Sequence, residues 1–264
     1  MQVAYKEPPC RAAVARVCIR YVQGARLHIR GGERTGIFPA ERNALENKTD
    51  MNEDSGRRTG INSWYDGFLY HAVIGPFARP VAVSVAELVE KNSRVLDVGC
   101  GVGQLVFMLS QKCRQVTGID FSKRMVEHAS KQKAKRNVGN ADFVFGDAAE
   151  ASQIFSQRFD FVTATMCLHE MNCQSRHRVL SACLELADRV ILVDYAAPFP
   201  NNIWGATQVF IELCAGKQHY AGFRDWQDRG GMDGFTKQER LSVQVRLPWK
   251  NRMLETVVVS GRDQ

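Results

Sequence analysis

The sequence lacks the cysteine spacings and the long apolar run that mark several classes of protein. Its eight cysteines are scattered, mostly within apolar stretches, and no two of them form a C-x-x-C pair. We therefore expect reduced, buried thiols and a cytoplasmic location, and we predict neither disulfides nor a metal site. No uninterrupted apolar run approaches the roughly 18 residues of a membrane-spanning helix, so we expect no membrane span.

A strong excess of either charge is also missing from most of the chain. The net charge is +7, but residues 1–58 contain 11 Lys/Arg and 7 Asp/Glu, a net +4, which leaves +3 for the other 206 residues. A body that is only mildly basic argues against a nucleic-acid groove. We therefore expect no nucleic-acid partner.

The first 60 residues differ in composition from the rest of the chain. Residues 1–30 hold six Lys/Arg against one acid, and a polar stretch rich in Gly, Arg, Asn and Glu follows. Three interpretations remain open: a basic targeting presequence, a disordered arm, or codons that precede a true start at Met51. We favour a poorly ordered, dispensable extension over residues 1–60, followed by one domain over residues 61–264.

The stretch of greatest chemical interest is VLDVGCGVGQ, residues 95–104. Its first four residues predict a buried strand, and a glycine-rich turn then leads into an amphipathic helix that begins near Val102. Such a turn lets a ligand approach the backbone closely, and the helix N-terminus directs unpaired N–H groups at it. The dinucleotide fingerprint G-x-G-x-x-G requires glycine where Gln104 stands, and Asp97 in the strand suits an ammonium group better than a pyrophosphate.

Strand and helix patterns alternate after this motif. Asp120 ends the second predicted strand, about 20 residues after the glycines, where a parallel strand would bring it beside the turn to accept a ribose hydroxyl pair. Ser122 is the predicted N-cap of the next helix. The remaining predicted strands are 143–145, 159–165, 190–195, 241–247 and 253–260, and the predicted helices are 81–91, 104–112, 122–136, 174–187, 201–215 and a short one before Gly230.

This motif resembles motif I of the class I S-adenosylmethionine-dependent methyltransferases, and residues 64–262 follow that family's order of elements. The resemblance implies an α/β fold: a Rossmann-like doubly wound seven-stranded sheet, mostly parallel with an antiparallel C-terminal hairpin strand. Cap elements would occupy about 62–80 and 201–236. The cofactor would be S-adenosyl-L-methionine, and the implied cofactor-binding residues are Asp97, Gly99, Gly101, Gly103, Asp120, Phe121, Asp147, Ala148 and Thr165.

The resemblance also implies methyl transfer to a small-molecule acceptor, which we expect to be aromatic or lipid-like. In-line transfer from a sulfonium needs alignment and exclusion of water rather than an enzyme nucleophile or a metal. His169 and Tyr220 are the candidate catalytic residues, and Tyr65, His169, His219 and Tyr220 are the candidate substrate-binding residues. The aromatic segment 64–70 is either a lid or a helix packed on the domain.

Two other functions remain open. A non-catalytic S-adenosylmethionine-binding partner or sensor would keep the same cofactor residues. A nicotinamide-dependent oxidoreductase is disfavoured by Gln104 and by the C-terminal hairpin. The acceptor-binding motifs of DNA-modifying and protein-arginine methyltransferases are not found in the sequence, which leaves a small-molecule acceptor as the preferred hypothesis.

Overall fold

A computed structural model describes residues 75–260 of the 264-residue chain. The predicted extension over residues 1–60 and the aromatic segment 64–70, which includes Tyr65, lie outside the described residues. Within residues 75–260, every helix is too short or too polar to cross a membrane.

The centre of the domain is a seven-stranded sheet with the strand order 3-2-1-4-5-7-6. The first five strands are parallel, and the last two form an antiparallel hairpin whose second strand pairs with the fifth. The predicted fold class is therefore confirmed. The strands are β1 (Arg94–Val98), β2 (Gln115–Asp120), β3 (Ala141–Phe145), β4 (Phe161–Thr165), β5 (Arg189–Tyr195), β6 (Ser242–Pro248) and β7 (Leu254–Ser260).

Helices cover both faces of this sheet. Ser122 is the N-cap that the sequence predicts and accepts a hydrogen bond from Met125 N, and Asn202 likewise caps a later helix by accepting one from Gly205 N. The helices are α1 (Gly75–Leu88), α2 (Gln104–Leu109), α3 (Lys123–Arg136), α4 (Ala151–Ile154), α5 (Cys173–Leu186), α6 (Ile203–Cys214), α7 (Lys217–Asp228) and α8 (Gly231–Gln238), with 3₁₀ turns at Ala148–Glu150 and Leu168–Glu170.

Alternate residues of the central strands belong to two different apolar clusters, one on each face of the sheet. In β1, Leu96 and Val98 join the cluster that includes α5, α7 and α8, whereas Val95 joins the cluster that includes α1 and α2. A sheet covered on both faces needs near-continuous apolar strands. Asp97 is the exception in β1, and its burial is a first indication of a functional site.

The helical insert between β5 and β6 departs from the sequence analysis in one way. The predicted short helix is confirmed as α7, with Gly230 in the left-handed conformation (φ 89°) just after it, but α8 was not predicted. The helix α6 turns Glu212 inward and leaves four of its apolar residues exposed. The exposed residues are Ile203, Trp204, Phe210 and Leu213, whose exposed fractions are 72%, 68%, 64% and 52%.

Candidate functional site

The loop after β1 is built on three glycines in the left-handed conformation. Gly99, Gly101 and Gly103 have φ values of 68°, 52° and 81°, which residues with a Cβ rarely adopt. A Cβ on Gly103 would also lie 2.6 Å from ring atoms of Phe143. Because Gly103 is left-handed, α2 begins at Gln104, which is the first residue of the predicted helix 104–112. The loop follows the carboxyl end of β1, where open α/β sheets bind ligands.

Asp97 is a buried carboxylate beneath this loop, with an exposed fraction of 1%. Its Oδ1 accepts a hydrogen bond of 2.7 Å from Thr163 Oγ1 on β4. Burial raises the pKa of the Asp97 carboxyl to about 7; the Thr163 hydrogen bond opposes this rise, and the charge of Asp120 adds to it. A cation beside the carboxylate would lower the pKa again. The position therefore favours a positively charged ligand group over a phosphate.

Asp120 ties the end of β2 to the glycine loop. Its Oδ2 accepts a hydrogen bond of 2.7 Å from Gly101 N, and its Oδ1 accepts one of 2.8 Å from Ser122 N. Burial raises the pKa of this carboxyl group, and the two hydrogen bonds oppose the rise. The predicted position of an acid beside the glycine loop is confirmed. Each carboxylate oxygen has two lone pairs and can also accept from a ligand hydroxyl.

Two phenylalanine rings stand at the carboxyl ends of β2 and β3. Phe121 and Phe145 are 46% and 52% exposed, and their ring centroids are 6.4 Å apart. Nearby, Asp147 Oδ1 accepts a hydrogen bond of 2.9 Å from Ala149 N, and Ala148 is buried. The sequence analysis identified Phe121, Asp147 and Ala148 but missed Phe145. A large apolar residue that ends a strand was the signal that could have found it.

On the other side of β1, Thr165 ends β4 and the 3₁₀ turn Leu168–Glu170 follows. Asp194 on the neighbouring strand β5 holds this turn. Its Oδ2 accepts hydrogen bonds from Leu168 N (3.0 Å) and His169 N (3.2 Å), and its Oδ1 lies 2.7 Å from His169 Nδ1. Main chain and ring of His169 are therefore fixed by the same carboxylate.

His169 is only 3% exposed and is surrounded by acids. Burial lowers the pKa of its imidazole, but Asp194 above all, with Glu212 and Glu170, outweighs that effect and raises the pKa to about 9. At neutral pH the ring therefore holds a proton on both nitrogens. A role as general base would require that His169 first lose one of these protons.

Glu212, which α6 turns inward, is the centre of a buried polar network. Its Oε2 lies 2.5 Å from His219 Nε2 and 3.7 Å from His169 Nε2, and its Oε1 accepts hydrogen bonds from Tyr195 (2.5 Å) and Gln208 (3.0 Å). Burial raises the pKa of Glu212, but the His219 hydrogen bond and the charges of the two histidines outweigh it and lower the pKa to about 2. Glu212 is therefore a permanent carboxylate, and the sequence analysis missed it.

Arg176 on α5 joins the 3₁₀ turn to α7. Its Nε donates to Leu168 O (2.9 Å), its Nη2 to Gly222 O (2.9 Å) and its Nη1 to Asp225 (2.7 Å). The contact is close: a Cβ on Gly222 would lie 2.6 Å from Glu170 O. Arg176 and this close contact therefore hold the turn and α7 together.

The structure brings together two of the predicted acceptor-side residues, His169 and His219, with Glu170 beside them. One ligand atom from each of His169, Glu170 and His219 lies within 4.8 Å of the other two. Tyr220 is next to His219 in α7, but its ring packs at 6.1 Å from the ring of Phe223 and its hydroxyl pairs with the Arg224 side chain. The catalytic and substrate-binding roles of these residues stay predictions.

Comparison with known proteins confirms the resemblance that the sequence analysis stated. Residues 95–189 match the family model described as "Methyltransferase domain". An uncharacterized methyltransferase of Bacillus subtilis, YcgJ, is 32% identical over 106 residues, which are 40% of this chain and 42% of that protein. The chain spans less than half the length of the first curated relatives that it matches.

Two solved structures show the same fold. The PH0226 protein from Pyrococcus horikoshii has a TM-score of 0.57 at 18% identity, and the match covers 77% of this chain and all of that one. The N-methyltransferase NodS from Bradyrhizobium japonicum, in complex with S-adenosyl-l-homocysteine, has a TM-score of 0.52 at 14% identity over 71% of this chain and 89% of that one. At these identities the likeness concerns the fold alone.

Proposed function

We propose that this chain binds S-adenosyl-L-methionine and transfers its methyl group to a small-molecule acceptor. The observation that supports this most directly is the pair of carboxylates, Asp97 and Asp120, on either side of a glycine loop at the carboxyl ends of β1 and β2. One is buried where a cation would be stabilised, and the other lies where it can accept from hydroxyl groups. A pyrophosphate would meet two negative charges there.

The proposed cofactor lies across the sheet with its two ends on opposite sides of β1. The methionyl ammonium group is near Asp97, with Thr165 on the same side, and the ribose hydroxyls donate to Asp120. The adenine ring lies against Phe121 and Phe145, with Asp147 and Ala148 at its edge. The three glycines permit the backbone to pass close beneath the cofactor.

With the adenine on the β2–β3 side, the methyl group is directed toward the crevice that follows β4 and β5. His169, Glu170 and His219 line that crevice, and Tyr65, which lies outside the described residues, and Tyr220 complete the proposed acceptor-binding set. The acceptor attacks the methyl carbon, the new bond forms as the carbon–sulfur bond breaks, and the electron pair stays on sulfur. Alignment and exclusion of water are the main demands on the protein.

Calorimetry of the full chain against S-adenosylmethionine, S-adenosylhomocysteine and NADPH tests the cofactor. We expect binding of the first two and none of the third. Asp97→Asn and Asp120→Ala should weaken binding, whereas Asp188→Asn, at a side chain that is 90% exposed, should not. Binding of NADPH with no heat from S-adenosylhomocysteine would contradict the proposal.

The acceptor side is tested by turnover measured against a panel of phenolic, catecholic, thiol and amine acceptors. Tyr65→Ala, His169→Ala and Tyr220→Ala should lower turnover much more than they weaken S-adenosylhomocysteine binding, and Asp120→Ala should do the reverse. Wild-type turnover in all three variants would place the acceptor elsewhere. Cofactor binding with no turnover on any acceptor would favour the non-catalytic binding module instead.

We also propose a cytoplasmic location. Its support is chemical: the six cysteines within the described residues are all free thiols, and four of them are buried.

A further inference from the structure

We propose that His169, Glu170 and His219 bind a divalent transition-metal ion at the carboxyl end of β4, with Asp194 and Glu212 as the carboxylates that orient the two histidines. The sequence analysis predicts no metal site. His219 is far from the other two residues along the chain, so their spacing shows no metal-binding motif. Only the packing of α7 against the 3₁₀ turn brings the three side chains together.

The strongest support is the way in which each imidazole is held. His169 Nδ1 lies 2.7 Å from Asp194 Oδ1, and His219 Nε2 lies 2.5 Å from Glu212 Oε2. Histidines that bind metals almost always donate their other ring N–H to a carboxylate or carbonyl, which fixes the ring and its tautomer. Coordination would therefore use His169 Nε2 and His219 Nδ1. Two histidines here share this arrangement, His169 buried and His219 with 12% of its side chain exposed, and each has its own carboxylate.

The distances are close to those of a metal site. His219 Nδ1 lies 3.8 Å from Glu170 Oε2, and one ligand atom of His169 lies within 4.8 Å of both partners. Around a tetrahedral ion with bonds of about 2.0–2.1 Å, neighbouring ligand atoms are roughly 3.3–3.4 Å apart. The Glu170 side chain is 45% exposed, so a rotation about its own bonds can close the gap while the two histidines stay in place.

The charge of the cluster also favours a cation. Three carboxylates, Asp194, Glu212 and Glu170, face two imidazoles, and two of these carboxylates are almost completely buried.

The donor set selects the kind of ion. Two imidazoles and one carboxylate suit zinc, iron, cobalt or nickel rather than calcium or magnesium, which prefer all-oxygen sites. Three protein ligands leave the fourth position for water or for a ligand, and Glu170 is on the solvent side. This is the pattern of a catalytic rather than a structural zinc site.

The site also suggests how an acceptor is activated, a consequence that rests on the proposed methyl transfer. A hydroxyl or thiol group in the fourth position would bind through oxygen or sulfur and lose its proton to solvent, because the metal lowers its pKa. The resulting anion would attack the methyl carbon, and the carbon–sulfur electron pair would leave with S-adenosylhomocysteine. The acceptor class is then a phenol, catechol or thiol.

Calorimetric titration of the full-length protein with Zn²⁺, after removal of metal with EDTA, tests the site without any acceptor. We expect one Zn²⁺ ion to bind per chain, with an affinity that depends on Glu170. Glu170→Gln keeps the size of the side chain and should weaken this binding about tenfold or more. His219→Gln should abolish this binding, and its melting temperature and circular dichroism show whether it is folded. Glu212→Gln should weaken binding by about 10- to 100-fold through the orientation of His219.

The matched control is His177→Gln. His177 Nδ1 also lies 2.7 Å from a carboxylate, Glu239, but His177 is 60% exposed and has no third ligand among the described residues. Its loss should leave Zn²⁺ binding unchanged. Any Zn²⁺ that cysteine thiols bind should likewise be the same in all of these variants. Equal affinity in the wild type and in Glu170→Gln, or no Zn²⁺ binding at all, would overturn the metal site. S-adenosylhomocysteine titrated into the EDTA-treated protein reports on the cofactor separately, so the two proposals can fail independently.

Discussion

Replacement of Asp97 by asparagine should stabilise the ligand-free domain at alkaline pH while it weakens cofactor binding. The side chain keeps its shape, and Asn Oδ1 can still accept the hydrogen bond from Thr163. The wild-type carboxyl group has a pKa of about 7 when folded, against 3.8 ordinarily. The folded chain therefore keeps a proton that the unfolded chain loses above about pH 4. Stability consequently falls as the pH rises from about 4 to about 7 and is level above that.

The magnitude follows from those two pKa values. At about 1.4 kcal/mol per pH unit, the full penalty above pH 7 is about 4 kcal/mol, of which about 3 kcal/mol develops between pH 5 and pH 8. Urea unfolding of wild type and Asp97→Asn at both pH values, without ligand, measures this. We expect the difference in unfolding free energy to move in favour of the variant by about 3 kcal/mol. Asp188→Asn removes the same charge from an exposed position and should show no such change.

A difference between the two proteins that stays constant from pH 5 to pH 8 would refute this reasoning. The same titration has a binding counterpart, which rests on the proposed cofactor. An ammonium group requires the ionised carboxylate, so S-adenosylhomocysteine affinity should fall about tenfold for each pH unit below 7. The Asp97→Asn variant should bind weakly and lack this dependence.

Three further variants test other parts of the site. Asp120→Ala should lower S-adenosylhomocysteine affinity about tenfold or more by calorimetry, because charged hydrogen bonds contribute about 1.5–3 kcal/mol; unchanged affinity would contradict the ribose assignment. Gly103→Ala puts a Cβ 2.6 Å from an aromatic ring at φ 81° and should lower stability by about 2–4 kcal/mol, whereas Gly139→Ala, with nothing within 4 Å, should not. Arg176→Met should destabilise the domain by about 3 kcal/mol or more in urea unfolding. The control Arg224→Met, at an exposed side chain, should leave the urea midpoint unchanged, and equal effects of the two substitutions would contradict the buried role of Arg176.

The sheet and the cofactor side could be predicted from the sequence because their signals are local. Asp97, the three glycines and Asp120 stand at fixed distances around one strand–turn–helix unit, and their positions follow from the parallel pairing of β1 with β2. The strand β2 ends at Asp120, as predicted. The start of α2 at Gln104 is set by the left-handed conformation of a single glycine, Gly103.

The acceptor side could be predicted only in part, because it depends on contacts between distant segments. Glu212 and Arg176 have no sequence signal that separates them from solvent-facing residues, and only the packing of α6 and α7 buries them. The inward face of α6 depends on the same packing. This helix turns Glu212 inward, where it bonds with Tyr195, with Gln208 of the same helix and with His219.

The strand order divides the site into two halves that are also consecutive in the gene. All the side chains assigned to the nucleoside lie in β1 to β3 and the turns after them, and the histidine–carboxylate network lies wholly after Thr165. Within the described sheet, the two halves share a single strand pair, β1 with β4, where Val95–Val98 align with Phe161–Ala164. Recombination at the connection before β4 could therefore exchange acceptor-side sequences between homologous chains while the nucleoside half is inherited unchanged. The hydroxyl of Thr163, which crosses this seam to Asp97, is a polar contact that every such chimera would have to keep.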